Sequence, residues 1–232
     1  MLILDLLMVV GLGACMSLST DMRIVTENTL FCMPETTIGH FCDALSSYYL
    51  SRLKGYYGRY ITLCAAGLKA EDLLHLGLAT HYVPSRRLND MVQHLTSLNM
   101  PSLHEIQQET RKFTEEMPTT VRLTSTPYIS QHEKETVIEH CFKFDTVEEI
   151  VAALEAEGSK FSLACKAKIL AASPVATKVT LELLRRAPSL SLTECLFLER
   201  HLWAIDIVCI YNTLRCKALI HTAYFFIFLV FA

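Results

Sequence analysis

Two carboxylates stand eight residues apart in the segment Met33-Pro34-Glu35-Thr36-Thr37-Ile38-Gly39-His40-Phe41-Cys42-Asp43. Their setting is apolar and carries Gly and Pro, unlike a solvated helix face. A carboxylate among apolar neighbours loses hydration, so its pKa rises and it can exchange protons near neutral pH. Glu35 is therefore a candidate general base. The same residues also fit a plainer account, with Asp43 capping a helix over 44–53 and Glu35 in a surface turn. A second feature precedes them. Val10-Gly11-Leu12-Gly13-Ala14 follows an apolar run and leads into a helix-like stretch ending near Thr20. The first amides of a helix have no intrahelical partner and sit at its positive end, so they can face a developing oxyanion. Tight strand-to-helix packing explains such a turn equally well. A dinucleotide fingerprint is excluded, because its third glycine falls at Met16.

Other side chains offer less. Ser51-Arg52-Leu53-Lys54 spells Ser-x-x-Lys without an accompanying motif and reads as helix surface. His75 and His81 have no partners at ligand spacing, so no metal site is expected, and His81 reads as a strand-end residue. His40, between the two carboxylates, reads as a substitution and not as a catalytic group.

The elements that must position these residues change character near residue 100. Strand-like runs at 23–26, 30–33 and 80–83, punctuated by glycine turns, fill 1–99. Residues 100–232 read as helical. Thr146-Val147-Glu148-Glu149 is a capping box with Gly158 as the stop, Ser173-Pro174 opens a second helix, and Ser191-Leu192-Thr193-Glu194 opens a third, long one. A short helix over 103–113 sits in the linker-like stretch bearing Pro101, Pro118 and Pro127. The fold class expected is α/β followed by helices.

Composition bounds the partners. Twenty-one Lys plus Arg against 24 Asp plus Glu leave a formal charge of −3, which favours neither nucleic acid nor an anionic membrane. With 51% apolar and 19% charged residues the chain is too hydrophobic for disorder. Nine cysteines, with no Cys-x-x-Cys, point to a reducing compartment rather than to a disulfide framework. The start, MLILDLLMVV, lacks a positive leader and carries Asp5, so it reads as a buried strand. Residues 218–232 would reach roughly 22 Å as a helix, short of the roughly 30 Å bilayer core, so no anchor is expected. The aromatic, uncharged run 224–232 is aggregation-prone if uncovered.

Several ordered blocks carry a resemblance. Arg23-Ile24-Val25-Thr26-Glu27, Phe31-x-Met33-Pro34-Glu35-Thr36-x-Ile38-Gly39, Asp43, Tyr49-Leu50-x-Arg52-Leu53 and Gly77-Leu78-Ala79-Thr80-His81-Tyr82-Val83-Pro84-Ser85 resemble the 3-hydroxyisobutyryl-CoA hydrolase family of the crotonase superfamily. Thr146-Val147-Glu148-Glu149-Ile150, Ser173-Pro174 and Leu198-Glu199-Arg200 extend it more loosely, over about residues 1–205.

The resemblance implies a partial crotonase-like spiral of ββα turns followed by a mainly helical C-terminal region. It implies action on an acyl-CoA thioester in valine breakdown, with coenzyme A as part of the substrate and no cofactor or metal. Glu35 matches the family's catalytic glutamate and Asp43 its second carboxylate. Glu35 then activates water or attacks the thioester carbonyl to give a mixed anhydride, and Asp43 orients substrate or assists proton transfer. The turn Gly11-Leu12-Gly13 corresponds to the family's Gly-Gly-Gly oxyanion turn. Counting back from Glu35 makes Leu12 the amide donor, whereas counting forward from Asp5 makes it Gly11. A hydratase has a second glutamate just after this turn; here Ala14 or Cys15 stands there, which favours hydrolysis. Lys54, Arg59 and Lys69 are candidates for CoA phosphates but read as solvated surface.

Departures from the family pattern are Leu12, the non-glycine run Ala44-Leu45-Ser46-Ser47, and His40 and Cys42 where Leu and Pro are usual. The family's upstream strands have no counterpart, so an exposed sheet edge is expected, and the apolar end replaces a polar one. A truncated chain with weak or no turnover follows. A non-catalytic remnant, in homo- or hetero-oligomers with relatives, is the alternative. The family points to the mitochondrial matrix, although the chain shows no targeting signal, which leaves the cytosol open.

Overall fold

The computed structural model describes residues 2–4, 9–117, 126 and 129–212. In chain order the first part holds β1 (Leu2–Leu4), β2 (Val9–Val10), α1 (Leu12–Leu18), β3 (Arg23–Val25), β4 (Phe31–Cys32), a 3-10 turn (Glu35–Ile38), α2 (Ser46–Leu50), α3 (Tyr57–Leu63), α4 (Ala70–His75) and β5 (His81–Tyr82). The second part is helical: α5 (Ser85–Ser97), α6 (Leu103–Arg111), α7 (Gln131–Cys141), α8 (Val147–Glu157), α9 (Lys160–Ala171), α10 (Pro174–Arg186) and α11 (Leu192–Asn212).

Among the described residues the named strands pair in parallel, and Phe31 of β4 also forms an antiparallel bridge with Leu68. One sheet has the order β1-β3-β5, with Ile3 opposite Ile24 and Ile24 opposite His81, and the other pairs Val9 with Phe31 and Val10 with Cys32. Parallel neighbours require a crossover, and α1 supplies the one that leaves β2. The strands expected at 23–26, 30–33 and 80–83 form, but are shorter than expected for local reasons. Thr26 turns its N–H to the Thr29 hydroxyl, 3.0 Å away, and leaves the ladder. Met33 precedes Pro34, which has no N–H to extend pairing.

The helix boundaries follow the capping chemistry. Thr146 caps α8 by accepting the Glu149 N–H at 3.3 Å, and Gly158 ends it at φ 73°. Ser173 caps α10 ahead of Pro174, and Ser191 and Glu194 cap α11 reciprocally. A Ser130–Glu133 capping box opens α7, an element the sequence reading did not single out. The helix expected over 103–113 stops at Arg111.

The residues before and after position 100 share one core: Ile61, Leu63 and Leu68 pack in the same buried cluster as Ile138, Phe142, Ile150 and Leu154. A smaller cluster, Ile24, Val83, Leu88 and Met91, lies beneath α5. Lys134 and Asp72, each 1% exposed, tie α7 to α4 through a 2.7 Å ion pair. Arg59 corrects an expectation. Instead of lying on the solvated surface, its side chain is 13% exposed and donates to the carbonyls of Phe142 and Phe144 at 2.9 and 2.6 Å. Lys54 and Lys69 are exposed.

No helix among the described residues is long and apolar enough to cross a membrane. Asp5, the apolar tail 218–232 and the aggregation-prone run 224–232 lie outside the described residues.

Candidate active site

Gly11 lies at the end of β2, and its φ of 55° and ψ of −124° are open to a glycine. This backbone turns the chain into α1. Gly11 donates its N–H to the Cys32 carbonyl at 3.1 Å. That bond engages the Gly11 amide in strand pairing. Leu12 and Gly13 occupy the first two positions of α1, where N–H groups have no acceptor four residues back. Gly11 has a different task. A Cβ there would lie 2.8 Å from Glu35 Oε1, so only glycine lets the carboxyl group approach the turn.

Glu35 opens the 3-10 turn that follows Pro34, and Gly39, at φ 88°, closes it. Two buried contacts hold the turn: the Thr36 hydroxyl donates to the Thr62 carbonyl at 3.1 Å, and Ser173 N–H donates to the Thr36 carbonyl at 3.0 Å. Glu35 is 6% exposed. Its Oε2 accepts a weak bond from the Cys42 thiol at 3.5 Å, whereas Oε1 has no hydrogen-bond partner among the described residues. Burial pushes the Glu35 pKa up to about 7, Asp43's charge adds to the rise, and its own backbone N–H, the Cys42 thiol and His40 oppose it. The group is poised to take or give a proton near neutrality.

Asp43 is half-buried, and its Oδ2 lies 3.4 Å from His40 Nε2. Cys42 N–H, next to it, donates to the Thr180 hydroxyl of α10 at 3.1 Å. Beyond it the chain makes an unusual turn: Ala44 and Leu45 have φ of 56° and 66° before α2 begins. Asp43 does not cap the helix expected over 44–53: α2 spans only Ser46–Leu50, its N-cap residue is Leu45 with no side-chain cap, and the Asp43 carbonyl accepts the Ser46 N–H at 3.0 Å in the turn before it.

A third carboxylate completes the neighbourhood. Glu199, on α11, is 3% exposed and accepts from Leu45 N–H at 2.7 Å, Ser47 N–H at 3.2 Å and the Ser47 hydroxyl. Burial pushes its pKa up to about 7; the Ser47 and Leu45 donors oppose the shift, and Asp43's charge adds to it. Sequence reasoning did not assign it a role. The available signal was an acidic residue inside the apolar run Leu196-Phe197-Leu198-Glu199. Cys15 and Cys42 are buried, and burial followed by the charge of Glu35 pushes both thiols up.

Among the described residues no group of three His, Cys, Asp or Glu side chains could hold a metal ion. Two surface hollows lie elsewhere, one of about 120 Å³ beside Tyr56 and Arg185 and one of about 360 Å³ beside Val137 and Phe161.

The arrangement thus brings Glu35 against the Gly11 turn, with Asp43 close enough for its charge to be felt. Against known proteins, the model of the family described as enoyl-CoA hydratase/isomerase matches residues 8–206. The chain belongs to the enoyl-CoA hydratase/isomerase family. Within this family it is similar to the "Probable 3-hydroxyisobutyryl-CoA hydrolase 3" of Arabidopsis thaliana, 35% identical over 198 residues that make up 82% of this chain and 50% of the relative. It is also similar to the "3-hydroxyisobutyryl-CoA hydrolase, mitochondrial" of Homo sapiens, 35% identical over 83% of this chain and 49% of the relative.

Two solved structures of family proteins share the fold. A carnitinyl-CoA dehydratase from Mycobacterium thermoresistibile superposes with a TM-score of 0.71 at 30% identity, covering 82% of this chain and 52% of that one. An enoyl-CoA hydratase from Rhodobacter sphaeroides gives 0.66 at 27% identity, covering 83% and 51%. The chain therefore spans about half the length of the enoyl-CoA hydratase/isomerase relatives it matches. Its fold is a partial crotonase-type ββα spiral followed by helices, as the sequence implied.

Proposed function

We propose that this chain is an acyl-CoA thioester hydrolase resembling 3-hydroxyisobutyryl-CoA hydrolase, with Glu35 as its base. The observation that carries the reading is the Glu35 carboxyl group itself: buried, with Oε1 unpartnered among the described residues, beside the α1 turn, and with a pKa of about 7. Ionised Glu35 takes a proton from water as the oxygen attacks the thioester carbonyl. The developing oxyanion is met by the Leu12 and Gly13 amides, and when the C–S bond breaks the sulfur leaves with the proton returned by Glu35. Direct attack by Glu35 to give a mixed anhydride needs the same ionised group. Asp43 orients the substrate or assists the proton transfer. The absence of a glutamate at Ala14 or Cys15 favours this chemistry over hydration. The relatives named as mitochondrial support the matrix as the compartment. Association with itself or with family relatives rests on the resemblance alone.

Thiol release from 3-hydroxyisobutyryl-CoA tests the assignment. Turnover is expected to be slow, because a leucine at position 12 leaves less room than a glycine for a thioester lying against the backbone. It is expected to rise with pH through an inflection near 7 and to fall about 10²–10⁴-fold in Glu35→Gln. Turnover indifferent to Glu35→Gln, or none from a folded wild-type chain, would falsify the reading and leave the non-catalytic alternative.

A further inference from the structure

The loop that carries Asp43 is held from both ends by distant parts of the chain. On one side Cys42 N–H is bonded to Thr180 of α10 at 3.1 Å. On the other, Leu45 and Ser47 N–H both end on the Glu199 carboxylate of α11, with the Ser47 hydroxyl as a third donor. Between these anchors Ala44 and Leu45 adopt left-handed φ values of 56° and 66° in succession. Side-chain-bearing residues avoid that region because Cβ crowds the following carbonyl, and two in a row persist only where the surroundings over-determine them. The Leu45 bond to Glu199 lies at the second of these residues, and the Ser47 bond lies at the second residue of α2.

We propose that Glu199 is a positioning residue: its carboxylate locks the Ala44-Leu45 turn and thereby fixes where the Asp43 side chain stands relative to Glu35. The chemistry of the donor set explains why an acid serves here. Three donors converge on two oxygens, and above its pKa of about 7 the Glu199 carboxylate offers only acceptors. A glutamine at 199 would turn its NH₂ toward one of those donors and release it. The catalytic part of this inference rests on the hydrolase reading, whereas the lock is a property of the fold and can be read without turnover.

The experiment combines two measurements on Glu199→Gln. Amide hydrogen exchange is followed at Leu45 and Ser47, with Ile150 of α8 as a reporter of global folding. Steady-state kinetics on 3-hydroxyisobutyryl-CoA supplies kcat and KM. Exchange at one or both loop amides is expected to quicken about tenfold, the loss of one charge-assisted hydrogen bond, with Ile150 unchanged. In parallel kcat should fall about tenfold while KM stays within about twofold, since a displaced Asp43 impairs the reaction more than binding. Glu199→Asp keeps the acceptors and should recover part of both effects; it also serves if the glutamine variant does not fold.

Unchanged exchange at Leu45 and Ser47 overturns the proposal, whatever the kinetics. Loosened amides with wild-type kcat overturn it too, because Asp43 would then not depend on the lock. If the wild type shows no turnover but exchange responds to Glu199→Gln, the hydrolase reading fails and the lock is upheld.

Discussion

The segment from residue 9 to residue 50 and the helical array from 130 to 190 obey different local rules. In the array, Ser130, Thr146, Ser159 and Ser173 each accept a backbone N–H at the helix start they cap, and the positive φ at a helix end falls on Gly158. In the earlier segment neither α1 nor α2 has a side-chain cap at its own N-cap residue, Ala44 and Leu45 take positive φ, and Glu35 Oε1 and Ser46 Oγ are buried without partners among the described residues. Natural sequences depart from local consistency chiefly where function is at stake. The contrast is in keeping with the proposal that the first region carries the chemistry and the second supports it.

Three substitutions probe this contrast. The largest effect on stability belongs to the support. Lys134→Ala takes the cation away from the buried Asp72 carboxylate, whose Oδ2 keeps only polar contacts such as the Lys69 N–H at 3.2 Å, so denaturant unfolding should show a loss of about 3–5 kcal/mol. Joint replacement by Lys134→Met and Asp72→Asn should recover much of it; a loss below about 1 kcal/mol from Lys134→Ala would mean that the array is less tightly satisfied than its geometry indicates.

The next effect has the opposite sign. Glu35 binds its proton more tightly in the folded chain, at a pKa of about 7, than at the ordinary 4.5. Its contribution is therefore fully favourable below pH 4.5 and is lost as pH rises through 7. The loss amounts to about 3 kcal/mol at 1.36 kcal/mol per pKa unit. Glu35→Gln cannot ionise, so its stability relative to wild type should climb by about that amount between pH 4 and 8. A flat difference in thermal melts across this range would remove the site region's distinctive cost.

The smallest effect is Thr146→Ala, which deletes the α8 cap and should cost about 1 kcal/mol at any pH in that range. A cost that depended on pH would blur the contrast.

How much of this was legible in the sequence depended on how local the determinants were. Helix starts at Thr146, Ser173 and Ser191 could be read because a cap and its target amide lie three residues apart. Glu35 and Asp43 could be singled out because their apolar, Gly- and Pro-bearing surroundings are contiguous with them. That the Gly11 amide is engaged in strand pairing could not be read, since its partner Cys32 lies on another strand. Arg59 was misread for the same reason, its carbonyl partners lying more than eighty residues away. Glu199, quoted only within a block of the resemblance, received no role because an acid on a helix usually faces water. Only the folded chain shows that it faces the start of α2.

The reach of the Glu199 contacts has a kinetic consequence. They join residues 154 and 152 positions apart, and β3 pairs with β5 between Ile24 and His81. Contacts of such separation form late, because loop closure must precede any reward. On the ribosome, the residues up to α11 must emerge before Glu199 can reach the Asp43 loop. The helical hairpins can assemble early, so the anchoring of this loop follows theirs during synthesis.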